Sequence, residues 1–283
     1  KIALLGHSRG GEAAAIAYNF NELNLHPDDG NISHKYKFNI SAVITISPTY
    51  DQYSPADKNI VLKDVDYLSL GGTNDADVKG FEGMLLYDNV FFTGEKDKFK
   101  AALYIGYANH GNFNSLWGNY DLDPAEGFFL NRKELLDGEK QREILCTYVY
   151  NFLENSFGKT YNREIFKGGP EKYKDLPETN YYSRYMDSNF IKLADYEEDY
   201  DLTTGSIKGS LINFSNLNEI YEYSHDYGNS SSDTTAVFVK SKKDSNYGIR
   251  FTEKIPNKKY LQFDIENLNY QEVSDEINIE VQD

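Results

Sequence analysis

Three groups of residues within the first 110 positions have the types and the order that nucleophilic acyl chemistry needs. Ser8 sits in Gly6-His7-Ser8-Arg9-Gly10, Asp75 and Asp77 follow Gly71-Gly72-Thr73-Asn74, and His110 lies in Ala108-Asn109-His110-Gly111. A serine hydroxyl attacks poorly until a neighbouring base takes its proton. An imidazole supplies that base, and a carboxylate fixes its tautomer and stabilises the imidazolium that forms. Asp75 and Asp77 both qualify as the acid. Asp75 is preferred because it comes sooner, directly after the Gly-Gly turn. Asp77 reads otherwise as a turn or N-cap residue ahead of a helix expected near 80–89.

The elements around these residues are legible as well. Residues 1–5 form a short apolar strand, and Glu12 to Tyr18 a small-residue helix. Strand, tight turn and helix in that order lift a serine to the top of a sheet, with its hydroxyl at a helix N-terminus. Gly6 and Gly10 are expected to leave room for the strained turn. The acid follows an apolar strand over 65–70, and the histidine follows another over 101–107. Both therefore sit at carboxyl ends of strands, the edge where open α/β sheets bind ligands.

The runs Gly6–Gly11, Leu70–Asp75 and Ala108–His110 resemble the α/β-hydrolase superfamily. The similarity is to its dienelactone hydrolase, platelet-activating-factor acetylhydrolase and cutinase/polyester hydrolase branch. The runs Asp75–Gly83 and Asn109–Gly118 resemble bacterial, often secreted, members of that branch. The resemblance covers about residues 1–158. It implies Ser8 as nucleophile, Asp75 as acid, His110 as base and the Arg9 backbone N–H as an oxyanion donor. It also implies a secreted or cell-surface bacterial protein acting on a small-molecule or polymeric ester. Family members carry strands ahead of the nucleophile strand, including the loop that gives the second oxyanion N–H. This chain begins on the nucleophile strand without a Met, so an N-terminally truncated and poorly active sheet is expected.

Aromatic residues flank the candidate site. The loop over 49–64 carries Tyr50 and Tyr53 and reads as a cap over the site or as an ordinary connection. Phe113 and Trp117 follow the histidine and read as an acyl-pocket wall or as core. His7 reads as a packing residue under the elbow. A helix over about 141–157 has apolar residues at helical spacing and is expected to cover the sheet, with Cys146, the one cysteine, as a buried thiol.

Residues 159–188 read as a linker or docking strap. From there to residue 283, runs at 235–240, 247–252, 259–265 and 276–281 alternate apolar and polar residues, the signature of short antiparallel strands. The expected fold class is α/β: a partial α/β-hydrolase sheet over 1–158, then an all-β, jelly-roll-like sandwich over 189–283. The sandwich resembles galactose-binding-like domains and suggests a carbohydrate contact. The last strand's abrupt end at Asp283 admits a shortened domain.

Composition excludes several classes. The 283 residues carry a formal net charge of −16, which opposes nucleic-acid binding. No apolar run approaches the ~20 residues that span a bilayer. His7, His26, His34 and His225 lack zinc-site spacing, and the last three read as solvated. The acidic run from Asp195 to Asp201 departs from calcium-loop patterns and reads as a solvated edge. Neither a phosphate-cradling Gly loop nor a nicotinamide fingerprint is present, so no cofactor or metal is expected. The alternative to an esterase is a catalytically silent surface or glycan-binding protein on the same scaffold.

Overall fold

Short runs of small and β-branched residues build the central sheet. The computed structural model describes the chain except residues 81, 123–132, 169, 198, 228–229, 257, 259, 267, 269–277, 279 and 281–283. In chain order its main elements begin with β1 (Ile2–His7), α1 (Arg9–Asn21), β2 (Leu25–His26), β3 (Asp29–Ser33), β4 (Ile40–Ile46) and β5 (Leu62–Lys63). They continue with β6 (Asp66–Gly72), α2 (Glu82–Asp88), β7 (Val90–Phe91), β8 (Phe99–Ile105), α3 (Gly138–Ser156), β9 (Tyr181–Asp187), β10 (Leu211–Tyr227) and β11 (Ser230–Arg250). The protein is thus of mixed α/β type, with one largely parallel sheet and separate antiparallel ones.

The five-stranded sheet has the order β1-β4-β6-β8-β9. The first four strands run parallel, and β9 pairs antiparallel to β8. Alternation along the inner strands divides the core. Ala42, Ile44, Leu68, Leu70, Ala101 and Leu103 share one cluster with Ile144, Tyr148 and Phe152 of α3. Val43, Tyr67 and Ala102 share another with Ala15 and Ile16 of α1 and Leu86 of α2. Burial on both faces explains why β4, β6 and β8 read as nearly continuous apolar runs. Each large aliphatic side chain so buried contributes about 1.5–3 kcal/mol. β1 forms one edge, where Ile2 and Leu5 are exposed.

Three elements differ from expectation. Residues 181–187, within the expected strap, form the fifth strand, and Tyr185 is buried against the core. Cys146 is exposed, because it lies on the face of α3 that points away from Ile144 and Tyr148. In the C-terminal region β10 and β11 form a two-stranded antiparallel ribbon, in register from Leu211↔Arg250 to Tyr227↔Ser230 with bulges between. The expected strand at 235–240 lies within β11, and 247–252 overlaps its end. The described part of 259–265 carries no strand, and 276–281 lies outside the described residues apart from 278 and 280.

Candidate active site

The turn between β1 and α1 is built around a close backbone crossing. A Cβ on Gly6 would stand 1.8 Å from the carbonyl oxygen of Gly10, so only glycine fits there. Gly10, by contrast, faces open space. The second crowded position is Gly11, where a Cβ would meet the Pro48 Cβ at 2.9 Å. Ser8, between strand and helix, has φ 57° and ψ −130°, an unfavourable conformation for a residue with a side chain. Its own N–H donates to Ile46 O, which ties the turn to β4. Arg9 opens α1, so its N–H belongs to the first turn, whose N–H groups have no intrahelical acceptor.

Asp75 and His110 arrive from the ends of β6 and β8, two strands paired side by side. Their loops are stitched together. Thr73 N donates to Ile105 O, Asn74 N to Ala108 O, and Tyr107 N to Thr73 Oγ1. Gly72 permits this approach, since a Cβ there would lie 2.3 Å from Ala108 O. Asp75 divides its two oxygens between two tasks. Oδ1 accepts the N–H groups of Asp77 and Val78, and Oδ2 lies 2.8 Å from His110 Nδ1. Asp75, rather than Asp77, therefore shapes the turn before α2. Asp77 is half exposed, with its carboxylate 3.4 Å from His110 Nε2.

His110 is buried, at 1% exposure. Its Nε2 is buried without a hydrogen-bond partner, so Ser8 Oγ is not hydrogen-bonded to it in this structure. What brings the β1 turn to the base is His7. The His7 ring centroid lies 4.5 Å from that of His110 and 5.1 Å from that of Trp117. Trp117 lies 6.1 Å from His110 and nearly parallel to it. Phe113 sits in the core and meets His7 edge-on at 6.0 Å.

The electrostatics separate the two histidines. Burial, and next the charge on His110, push His7 down to about 4, so it is neutral near pH 7. Burial would lower His110 too. There the Asp75 hydrogen bond and the charges of Asp75, Asp77 and Asp121 outweigh it and hold the imidazole above its ordinary value. This is the environment of a base whose protonated form is stabilised at the moment it is needed.

The remaining candidates are held elsewhere. The Tyr50 N–H donates to Glu82, and its hydroxyl accepts from Asn89 Nδ2 at 3.1 Å. Tyr53 donates its hydroxyl to Asp28. Buried Glu12, on α1, fixes this loop by accepting from Thr49 Oγ1, Gln52 N and Tyr53 N. His26 and His34 are half-buried around Phe20, at 5.1 and 5.6 Å between ring centroids, rather than fully solvated. The His225 side chain lies outside the described ones. A polar cleft of about 530 Å³ lies beside the base loop, lined in part by Tyr107, Leu136, Asp137, Lys140 and Thr179; Ser8, Asp75 and His110 are not among its lining residues. Among the described residues no cluster of three or more His, Cys, Asp or Glu suits a metal ion, and no helix is long and apolar enough to cross a membrane.

Sequence reading missed two polar anchors of the base loop. Gln141 of α3 is fully buried; its Oε1 accepts from Asn109 N and its Nε2 donates to Asn109 O. Asp121 accepts from Ala76 N, His110 N, Gly111 N and Asn109 Nδ2. Both partner backbone groups distant in sequence, which no spacing rule reveals. Comparison with known proteins adds no family assignment: no family model matches the chain, and no curated protein matches its sequence.

Proposed function

We propose that this chain is a serine hydrolase that cleaves carboxylic esters through an acyl-enzyme, on an α/β-hydrolase-like sheet. The observation that carries this reading is the 2.8 Å contact of Asp75 with His110 Nδ1, on the same sheet edge as a serine held at positive φ. In the proposed cycle His110 Nε2 takes the Ser8 proton as Oγ attacks the ester carbonyl carbon. The carbonyl π electrons move to oxygen, and the resulting oxyanion accepts a hydrogen bond from Arg9 N–H at the start of α1. Collapse expels the alkoxide, which leaves with the proton carried by His110. Water then repeats the sequence on the acyl-Ser8 carbonyl and releases the acid. Nε2 suits this work, because it is buried and makes no hydrogen bond that a serine hydroxyl would have to displace. Trp117 and neutral His7 cover the imidazole and would keep bulk water from it.

The expected whole is a secreted or cell-surface ester hydrolase with a C-terminal β-sandwich for carbohydrate contact. The antiparallel pairing of β10 and β11 supports the β character of that C-terminal region. One observation favours a second reading, a silent binding scaffold: Ser8 makes no hydrogen bond to His110, and Asp77 stands at Nε2 instead. Catalytic hydrogen bonds often form only with substrate in place. A fluorophosphonate probe separates the two readings. The hydrolase reading expects one adduct on the Ser8 peptide, absent in Ser8→Ala and in heat-denatured protein. An unlabelled Ser8 in folded protein favours the scaffold.

A further inference from the structure

The geometry points to Asp121 as the residue that locks the acid loop to the base loop, and so as a positioning residue for the Asp75–His110 pair. Its function as such rests on the serine-hydrolase reading; its geometry does not. Asp121 Oδ2 accepts from Ala76 N at 3.1 Å and from His110 N at 3.0 Å. Oδ1 accepts from Gly111 N at 2.8 Å and from Asn109 Nδ2 at 2.7 Å. One carboxylate thus takes four N–H donors, one from the residue after the proposed acid and three from residues around the proposed base. Hydrogen bonds to a charged acceptor are the strong ones, so this is a stiff clamp.

The surroundings are fitted to it. A Cβ on Gly111 would lie 3.2 Å from Asp121 Oδ1 and 2.3 Å from Gly118 O, so glycine lets the 118–121 segment close on the base loop. Asn109 Nδ2 also reaches Gly118 O at 3.3 Å. Asp121 meets the backbone of Ala76, His110 and Gly111 and the side-chain amide of Asn109 rather than the imidazole ring. It therefore acts by fixing where the Asp75 carboxylate and the His110 ring stand relative to each other. A displacement of about 1 Å in such a pair costs ~10²-fold in rate.

The test is Asp121→Asn in the full chain, which keeps the shape but turns an amide N–H toward the backbone donors. Two readouts apply. The first is the exchange-protected, downfield His110 Nδ1–H resonance by proton NMR, assigned by its loss in His110→Ala. The second is p-nitrophenyl butyrate kinetics. Asp121→Asn is expected to lose the protected resonance and to lower kcat ~10²-fold with little change in KM. In an Asp75→Asn background the same change should cost less than about threefold, because residues acting through one pair do not add. Asp137→Ala removes a helix cap on α3 (Asp137 accepts from Glu139 N and Lys140 N) and should keep both signals, which controls for general destabilisation.

A retained resonance with wild-type kcat would overturn the role of Asp121, as would an equal loss in both backgrounds. If folded wild-type protein is not labelled at Ser8, the hydrolase reading falls, while the NMR comparison still decides the clamp. If Asp121→Asn does not fold, hydrogen exchange in the wild type decides. Joint protection of the Ala76, His110 and Gly111 amides is expected, and free exchange of those amides would contradict the clamp.

Discussion

The five-stranded sheet and the β10–β11 ribbon are both built from strands, yet they differ in what their strands touch. Val43, Ile44, Leu68, Leu70 and Leu103 are fully buried between helices on both faces. Along the ribbon, Leu211, Phe214, Tyr221, Val239 and Tyr247 are exposed while Ile212 is buried, and cross-strand pairs such as Tyr221 on Phe238, stacked at 4.8 Å, join its two strands. A two-stranded ribbon is marginal by itself. The difference teaches where precision can be stored. The sheet's packing holds a serine at positive φ at its edge and a buried histidine against a carboxylate.

The largest expected effect breaks the sheet's side of this contrast. Ser8→Ala or His110→Ala should abolish ester turnover, by on the order of 10⁶ in kcat where a triad acts as one unit, and the two losses should not add. Steady-state kinetics check this. Next in size, Asp75→Asn should cost on the order of 10⁴ in kcat. Asp77→Asn should cost far less and change the pH profile instead. Activity needs neutral His110, whose raised pKa sets the acid limb, and the Asp77 charge is one cause of that rise. Removing it should move the acid limb of kcat/KM to lower pH. A larger rate loss at Asp77 would reverse the two roles.

The same contrast can be sharpened through stability. Gly6→Ala forces a methyl group into the Gly10 carbonyl and should cost more than about 4 kcal/mol, or prevent folding. Gly10→Ala meets open space and should be neutral or stabilising by up to ~1 kcal/mol. Urea titrations of both variants measure the difference. The smallest effect belongs to the ribbon. Tyr221→Ser should cost at most ~1.5 kcal/mol for the lost stacked pair and leave ester kinetics unchanged. A large kinetic effect there would mean that the ribbon reaches the site.

What the sequence discloses follows the same division. The runs over 42–46, 65–70 and 101–107 announce β4, β6 and β8 because strands buried on both faces must be apolar throughout. Gly6, Gly11 and Gly72 are legible because backbone crowding leaves few residue choices there, whereas Gly10 meets open space. β9 is not, because Tyr181 to Asp187 mixes polar and aromatic residues at a sheet edge, and only pairing to β8 makes it a strand. Cys146 is exposed rather than buried because of the phase of one helix, where one position separates the core face from solvent. Alternation at 235–240 and 247–252 marks parts of β11 but not its partner, and none of the alternating runs falls in β10, which is defined by its pairing with β11. Asp121 and Gln141 stayed hidden because their work is to satisfy loop N–H and C=O groups far away in sequence.

The central claim is covalent catalysis by Ser8, and one measurement reaches it directly. Protein mixed with p-nitrophenyl butyrate is quenched in acid during turnover, digested and weighed by mass spectrometry. A butyryl adduct on the Ser8 peptide is expected, forming with a burst of nitrophenolate and decaying at the rate of turnover. Turnover without that adduct, and undiminished in Ser8→Ala, would contradict the account.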